Sequence, residues 1–103
     1  MINNSSYPIP EKEQVILADN LFTLAKGAVD GKDIDTLQKL YEIIITLYDL
    51  ADKTNYDFFY DLGEYVYSAI DNIKDNKPDD GWMAHDEKSL LDALNEARRN
   101  KHA

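Results

Sequence analysis

The stretch YDFFYDLGEYVYSAIDNIKD, residues 56–75, decides the fold because it carries two opposite faces at the period of an α-helix. One arc of the helical wheel is apolar, the opposite arc is acidic, and tyrosines follow one border between them. The apolar arc holds Phe59, Leu62, Val66, Ala69, Ile70 and Ile73, the acidic arc holds Asp57, Asp61, Glu64, Asp71 and Asp75, and the border holds Tyr56, Tyr60 and Tyr67. The pattern predicts a helix over 55–75 against which the rest of the chain packs.

Two helices are predicted before this stretch. Pro10 is a favourable first helical residue, and the apolar spacing behind it predicts a helix over 10–29. Asp33 is a good N-cap for a second helix over 33–53. The second helix has a broad apolar face, so we expect it to contact two neighbours and to form an antiparallel hairpin with the helix over 55–75. Its heptad-like seam consists of Ile34, Leu37, Tyr41, Ile44, Tyr48 and Ala51.

After the central stretch, a turn-rich loop over 76–84 precedes a last helix over 86–99, capped by His85 or Asp86. We expect Trp82, at the end of this loop, to cover the open end of the core.

The predicted fold class is all-α, a compact four-helix bundle-like single domain. Residues 10–103 form the helical domain, and residues 1–9, which are polar and end in a Pro-x-Pro pair, form a flexible N-terminal arm. A chain of 103 residues supports one modest core and no second domain.

The charge is strongly negative, with 20 acidic residues against 11 lysines and arginines and a net charge of −9. Residues 55–80 are the acidic pole, since they carry seven acids and two lysines. This balance argues against direct binding of nucleic acid, because phosphate binding needs cationic side chains. It favours a basic protein as partner, because complementary charge speeds encounter.

The chain contains no cysteine, which excludes disulfides and thiolate chemistry and fits a cytoplasmic location. The N-terminus lacks the pattern of a signal peptide, and no apolar run is long enough to span a membrane.

The best candidate site is the face of the central helix on which aromatic rings lie beside carboxylates, since tyrosines bury flat area while acids pair with Arg and Lys. The alternative is an ordinary solvated face of an amphipathic helix. The candidate partner-binding residues are Tyr56, Asp57, Tyr60, Asp61, Glu64, Tyr67, Asp71 and Asp75.

Metal and catalytic sites are weaker candidates. Residues 76–87 place Asn76, Asp80 and Glu87 at ligand positions of a calcium loop, but Pro78 occupies the third ligand position. We therefore predict no metal, no cofactor and no catalytic residue. A small metal-dependent enzyme remains an alternative, using Asp79, Asp80, His85 and Glu87.

The segment Asp57-Phe58-Phe59-Tyr60-Asp61 resembles the adjacent tyrosines and acids of the helical immunity proteins that neutralise colicin-type and contact-dependent nuclease toxins. The resemblance implies an inhibitor that binds a basic toxin or nuclease domain in the cytoplasm. We expect the protein to be a monomer or part of a 1:1 heterodimer. That family has a very short third helix, whereas the one predicted here is long, so the resemblance implies a mode of action more than a lineage.

The acidic pole also fits another class of interaction protein. This alternative is a phage-encoded antagonist of a host defence or transcription complex that imitates the charge of nucleic acid. Such an antagonist should be displaced from its target by DNA or RNA.

Overall fold

The computed structural model describes residues 8–52, 54, 56–77 and 81–100. Within them the chain forms four α-helices, which are α1 Glu11–Asp30, α2 Ile34–Leu50, α3 Phe58–Lys74 and α4 Trp82–Asn100. The predicted all-α, four-helix class is confirmed. None of these helices has the length and apolar character needed to cross a membrane, a result that covers the described residues only.

Helix α3 is the centre of the fold. It packs against all three other helices, whereas α2 and α4 share no contact within the described part of the chain. Helix α1 closes the core from one side, where the Phe22 ring meets the Tyr65 ring edge-on at 5.3 Å. The opposite side of α3, which carries Tyr60, Glu64 and Tyr67, stays exposed. Together with the adjoining side of α2 it forms a surface that we call the outer face of the α2–α3 hairpin. The buried residues of α3 are Phe58, Phe59, Leu62, Gly63, Tyr65, Val66 and Ala69.

Helix α2 ends at Leu50, three residues before the predicted end, because the chain before α1 pairs with it. The Ile9 N–H donates to the Leu50 carbonyl at 2.8 Å, and the Asp52 N–H donates to the Ile9 carbonyl at 2.8 Å. Ala51 therefore takes an extended conformation with φ −74° and ψ 137°. Ile9, the last residue of the predicted arm, is buried, and residues 1–7 lie outside the described part.

Helix α3 begins at Phe58, later than predicted. Asp57 is its N-cap residue, although its side chain makes no capping hydrogen bond. The Thr54 hydroxyl accepts a hydrogen bond from the Tyr56 N–H at 3.0 Å and donates one to the Tyr56 carbonyl at 2.9 Å, so Thr54 fixes a local turn before the helix instead of capping it.

Helix α4 begins at Trp82, four residues before the predicted start, directly after Gly81 with φ +98°. The expectation that Trp82 covers the core is wrong, because its side chain is 62% exposed and its ring lies edge-on to His85 at 5.9 Å. Met83 takes the inward position instead. It is partly buried against the core, and the Asn72 amide lies 3.7 Å from its sulfur.

The side chain of Gln14 joins two distant segments of the chain by hydrogen bonds. Its side chain is 2% exposed, and its Nε2 donates to the Ile9 carbonyl at 2.8 Å and to the Asp52 carbonyl at 2.9 Å. One buried amide therefore holds the segment before α1 against the connection between α2 and α3. Buried polar groups that are fully paired in this way fix one arrangement of the chain.

We expect Gln14→Leu to lower the free energy of unfolding by about 1–3 kcal/mol, because the buried Gln14 amide loses both hydrogen bonds that join the segment before α1 to the chain after α2. Urea denaturation measures the change. The matched control is Gln38→Leu, at an exposed position of α2, which should stay within about 0.5 kcal/mol of the wild type. Equal losses in the two variants would show that the Gln14 hydrogen bonds do not hold the fold.

Candidate partner-binding surface

Two tyrosine pairs lie across the α2–α3 hairpin on the outer face. Tyr60 and Tyr67 of α3 are 53% and 57% exposed. Because the helices run antiparallel, Tyr60 meets Tyr48 with ring centroids 6.4 Å apart, and Tyr67 meets Tyr41 at 6.0 Å. Tyr48 is itself 51% exposed. Four aromatic rings therefore meet in two pairs on one surface, where Tyr48, Tyr60 and Tyr67 are about half exposed and Tyr41 is partly buried against the core.

Three of these rings, Tyr41, Tyr48 and Tyr60, border a groove of about 250 Å³ between α2 and α3. Its walls are aromatic and aliphatic, and Glu64 is the one charged residue among them. We call it the tyrosine groove. Its lining residues are Tyr41, Ile44, Ile45, Tyr48, Phe59, Tyr60, Gly63 and Glu64.

Gly63 forms part of the floor of the groove, and the packing of the helices does not require a glycine there. A Cβ atom at this position would lie 3.5 Å from Ile44 Cγ2 and 3.9 Å from Tyr41 Cε1, which is ordinary van der Waals contact. Glycine inside a helix costs about 1 kcal/mol relative to alanine. The close approach of α2 therefore does not explain why α3 carries a glycine here. The depth of the groove does depend on it, because a side chain at this position would fill the floor.

A second hollow, of about 470 Å³, lies at the end of the hairpin and shares Tyr48 and Phe59 with the tyrosine groove. Asp49, Asp52 and Asp57 line it, and no Lys or Arg is among its described lining residues. We call it the acidic hollow. Helix α2 ends here with no basic residue in its last turn, so the negative end of its dipole adds to the carboxylates.

A third hollow, between α1 and α4, has a different character. It measures about 410 Å³, and its charged lining residues are balanced, with Glu11 and Asp19 against Lys12 and Arg98. Arg98 also forms an ion pair with Asp19 at 3.0 Å. This hollow offers no net attraction to a basic partner, so the charge of the molecule favours the outer face of the α2–α3 hairpin.

Asp61 lies on the side of α3 that faces α4. Partial burial, together with the charges of Asp57, Asp86 and Glu64, raises the pKa of its carboxyl to about 6, while the charge of His85 opposes the shift. Burial and the charge of Glu64 also raise the pKa of Asp86. Like charges that crowd a half-buried carboxyl are relieved when a cation arrives, so this part of the surface favours a basic group.

The remaining predicted acids differ in whether a lysine of the protein pairs with them. Glu64 is exposed beside the tyrosine groove. Asp71 and Asp75 both pair with Lys77, at 3.1 and 3.6 Å, so part of their charge is neutralised within the protein. The acidic character available to a partner is therefore concentrated at the start of α3 and the end of α2.

Tyr56 does not continue the row formed by Tyr60 and Tyr67, and the predicted row of three is wrong at this residue. Its ring stacks on Phe58 at 5.3 Å, and its hydroxyl donates to Glu96 Oε2 of α4 at 3.1 Å. It precedes the first residue of α3, where helical spacing no longer applies. Tyr56 nevertheless lines the acidic hollow together with Asp57.

Sequence reasoning missed five residues of this surface. It assigned Tyr41 and Tyr48 to the core seam of the second helix and gave no role to Ile45, Asp49 or Asp52. One signal was present, since Tyr41 and Tyr48 have the same seven-residue spacing as Tyr60 and Tyr67. In an antiparallel hairpin that match brings the four rings together in two pairs.

No group of three or more potential ligands is placed to hold a metal ion among the described residues. Asp79 and Asp80, which the calcium and enzyme hypotheses need, lie outside the described part of the chain.

The fold and this surface define a small acidic helical protein with an exposed aromatic groove. No protein-family model, curated protein or solved structure matches the chain.

We expect Asp61→Asn to stabilise the protein above pH 6 and to have little effect near pH 4. Because the folded state raises the pKa of Asp61 from its ordinary 3.8 to about 6, the folded chain holds this proton more tightly than the unfolded chain. The resulting stability is fully present below about pH 4 and is lost as the pH rises through 6. Asparagine removes the ionisation and hence the loss.

Urea denaturation between pH 4 and 8 measures this gain. Asp30→Asn removes one exposed carboxylate at the end of α1 and controls for a change in net charge. A gain from Asp61→Asn that does not grow with pH, or that equals the gain from Asp30→Asn, would contradict the assigned environment of Asp61.

Proposed function

We propose that this protein is an inhibitor that acts by binding, an immunity protein that neutralises a basic toxin or nuclease domain in the cytoplasm. It binds through the outer face of the α2–α3 hairpin, where the tyrosine groove adjoins the acidic hollow. That juxtaposition is the observation that carries the proposal. Aromatic anchors with acids at their border match a partner that presents arginines and lysines.

The exposed tyrosines support a binding role. Tyrosine is among the residues that dominate binding energy at protein interfaces, because its ring buries a large area at a small entropic cost. Tyr48, Tyr60 and Tyr67 each leave about half of their surface open. Their contact with one another across the hairpin fixes their orientation before a partner arrives, which lowers the cost of binding.

The charge supports a basic partner. The net charge of −9 attracts a cationic domain at long range, and the acidic hollow supplies carboxylates at the border of the aromatic groove. Attraction of this kind raises the association rate and weakens as salt screens it. A nuclease domain is basic where it holds nucleic acid, so an acidic inhibitor covers its substrate groove or a neighbouring surface.

The resemblance of residues 57–61 to the DNase-immunity family points to the same mode of action. In this proposal the inhibitor is a monomer that forms a 1:1 complex with its toxin. The proposed inhibitor uses no cofactor and performs no catalysis.

Affinity capture from the native cell, at low and at high salt, tests the proposal. We expect one basic protein to be retained at low salt and weakened at high salt, and we expect one equivalent of inhibitor to abolish its toxic or nuclease activity. The double variant Tyr60→Ala with Glu64→Ala, which removes one exposed ring and one exposed acid of the tyrosine groove, should reduce the affinity at least tenfold, since truncating an interface anchor commonly costs about 2 kcal/mol. Isothermal calorimetry measures the affinity.

The matched control is Trp82→Ala with Glu13→Ala, which also removes one exposed aromatic ring and one exposed acid, but from α4 and α1. It should bind as the wild type does. Equal losses in the two double variants would contradict the assigned surface. Displacement of the captured protein by DNA, without any inhibition of toxicity, would instead identify an antagonist that imitates nucleic acid.

A further inference from the structure

We propose that the tyrosine groove takes one arginine side chain of the partner, with the guanidinium between Tyr41 and the Tyr48–Tyr60 pair and beside Glu64. This inference rests on the proposed function for the sign of the partner's charge. It goes further, because it names the side chain that the groove selects and the residues that select it.

The spacing of the pairs leaves room for a planar group. Tyr41 and Tyr48, like Tyr60 and Tyr67, are seven residues apart, and seven residues of α-helix span about 10.5 Å. The Tyr41–Tyr67 and Tyr48–Tyr60 pairs thus stand about two helical turns apart along the hairpin. Within each pair the centroids are too close for a group to enter between them. The open space of the groove lies between Tyr41 and the Tyr48–Tyr60 pair.

The lining of this space fits a guanidinium in particular. The tyrosine faces carry the negative part of the ring quadrupole, which attracts a cation, and arginine stacks flat on aromatic rings. Ile44 and Ile45 offer an apolar surface to the methylene stem of the side chain. Glu64 is placed to accept hydrogen bonds from the guanidinium at the rim. Lysine lacks the planar group and loses more hydration on entering such a site.

Gly63 makes this space deep enough. It lies midway between Tyr60 and Tyr67, opposite Ile44. An added methyl group would fit against α2 without a clash, so the fold tolerates alanine there. The same methyl group would occupy the floor on which the guanidinium or its stem must rest. The glycine therefore serves the groove at the expense of the helix.

The test is a titration of the full chain, with its tyrosine rings labelled with ¹³C, using the capped tripeptides Gly-Arg-Gly and Gly-Lys-Gly as probes. We expect the arginine peptide to shift the ring signals of Tyr41, Tyr48 and Tyr60, the three tyrosines that line the groove, saturably. It should bind at least about twofold more tightly than the lysine peptide, because only the planar guanidinium stacks flat on the rings and can form a bidentate pair with Glu64. Equal affinities of the two peptides, or an equally large shift of the Tyr56 ring in the acidic hollow, would overturn the inference.

Gly63→Ala and Gly27→Ala form a matched pair of variants. Both add one methyl group to a helix, and nothing lies within 4 Å of a Cβ atom at Gly27. Gly63→Ala should lose the preference for arginine while its thermal unfolding midpoint stays at or above that of the wild type. Gly27→Ala should keep the preference. An unchanged preference in Gly63→Ala would overturn the role of the groove floor.

The two proposals fail in different ways. A partner protein that is captured and inhibited equally well by the wild type and by Gly63→Ala would overturn the arginine inference and leave the inhibitor function standing. Specific binding of the arginine peptide in the groove, with no basic protein captured at any salt concentration, would overturn the inhibitor function alone.

Discussion

The burial of one face of α3 is the constraint on which the rest of the structure depends. Helices α2 and α4 do not touch each other in the described part of the chain, so each takes its position from α3, and α1 closes the core over them. Phe58, Leu62 and Val66 are almost completely buried on this face. The helix that organises the core also presents the outer face, which gives the exposed tyrosines a rigid support.

The periodicity of the chain is enough to predict the number of helices, their order and the central position of α3. Helix ends depend on contacts between distant segments, which periodicity does not contain. Ala51 continues the seam of α2, yet the helix stops before it because Ile9 pairs with the backbone there. Trp82 is apolar and follows a loop, yet it begins a helix and stays exposed, because Met83 rather than Trp82 points toward the core.

The candidate site was predictable to a similar extent. Tyr60 and Tyr67 were recognisable because a helical wheel places them at a border. Tyr41 and Tyr48 were assigned to the core, because a wheel does not distinguish a buried seam from its exposed rim. Tyr56 was misplaced because it precedes the helix. The tyrosine groove and the acidic hollow can be predicted only when the register of α2 against α3 is known. The pattern of a single helix does not contain that register.

Two features of the surface that we assign to binding reduce stability. Gly63 weakens α3 at the floor of the tyrosine groove, and α2 ends without a basic residue at the acidic hollow. A sequence that served folding alone would replace each of them. Their concentration on one face, beside four tyrosines, distinguishes this face from the α1–α4 side, where acids pair with Lys26 and Arg98 at about 3 Å. Ion pairs thus stabilise the α1–α4 side, whereas the side that we assign to binding carries features that reduce stability.

Hydroxyl-radical footprinting of the inhibitor–toxin complex tests the central claim most directly, because it reports the exposure of individual aromatic side chains. The account predicts that oxidation of Tyr48, Tyr60 and Tyr67 falls strongly in the complex, while Trp82, an exposed ring on α4, keeps the oxidation rate of the free protein. Protection of Trp82 with unchanged oxidation of the three tyrosines would contradict the account.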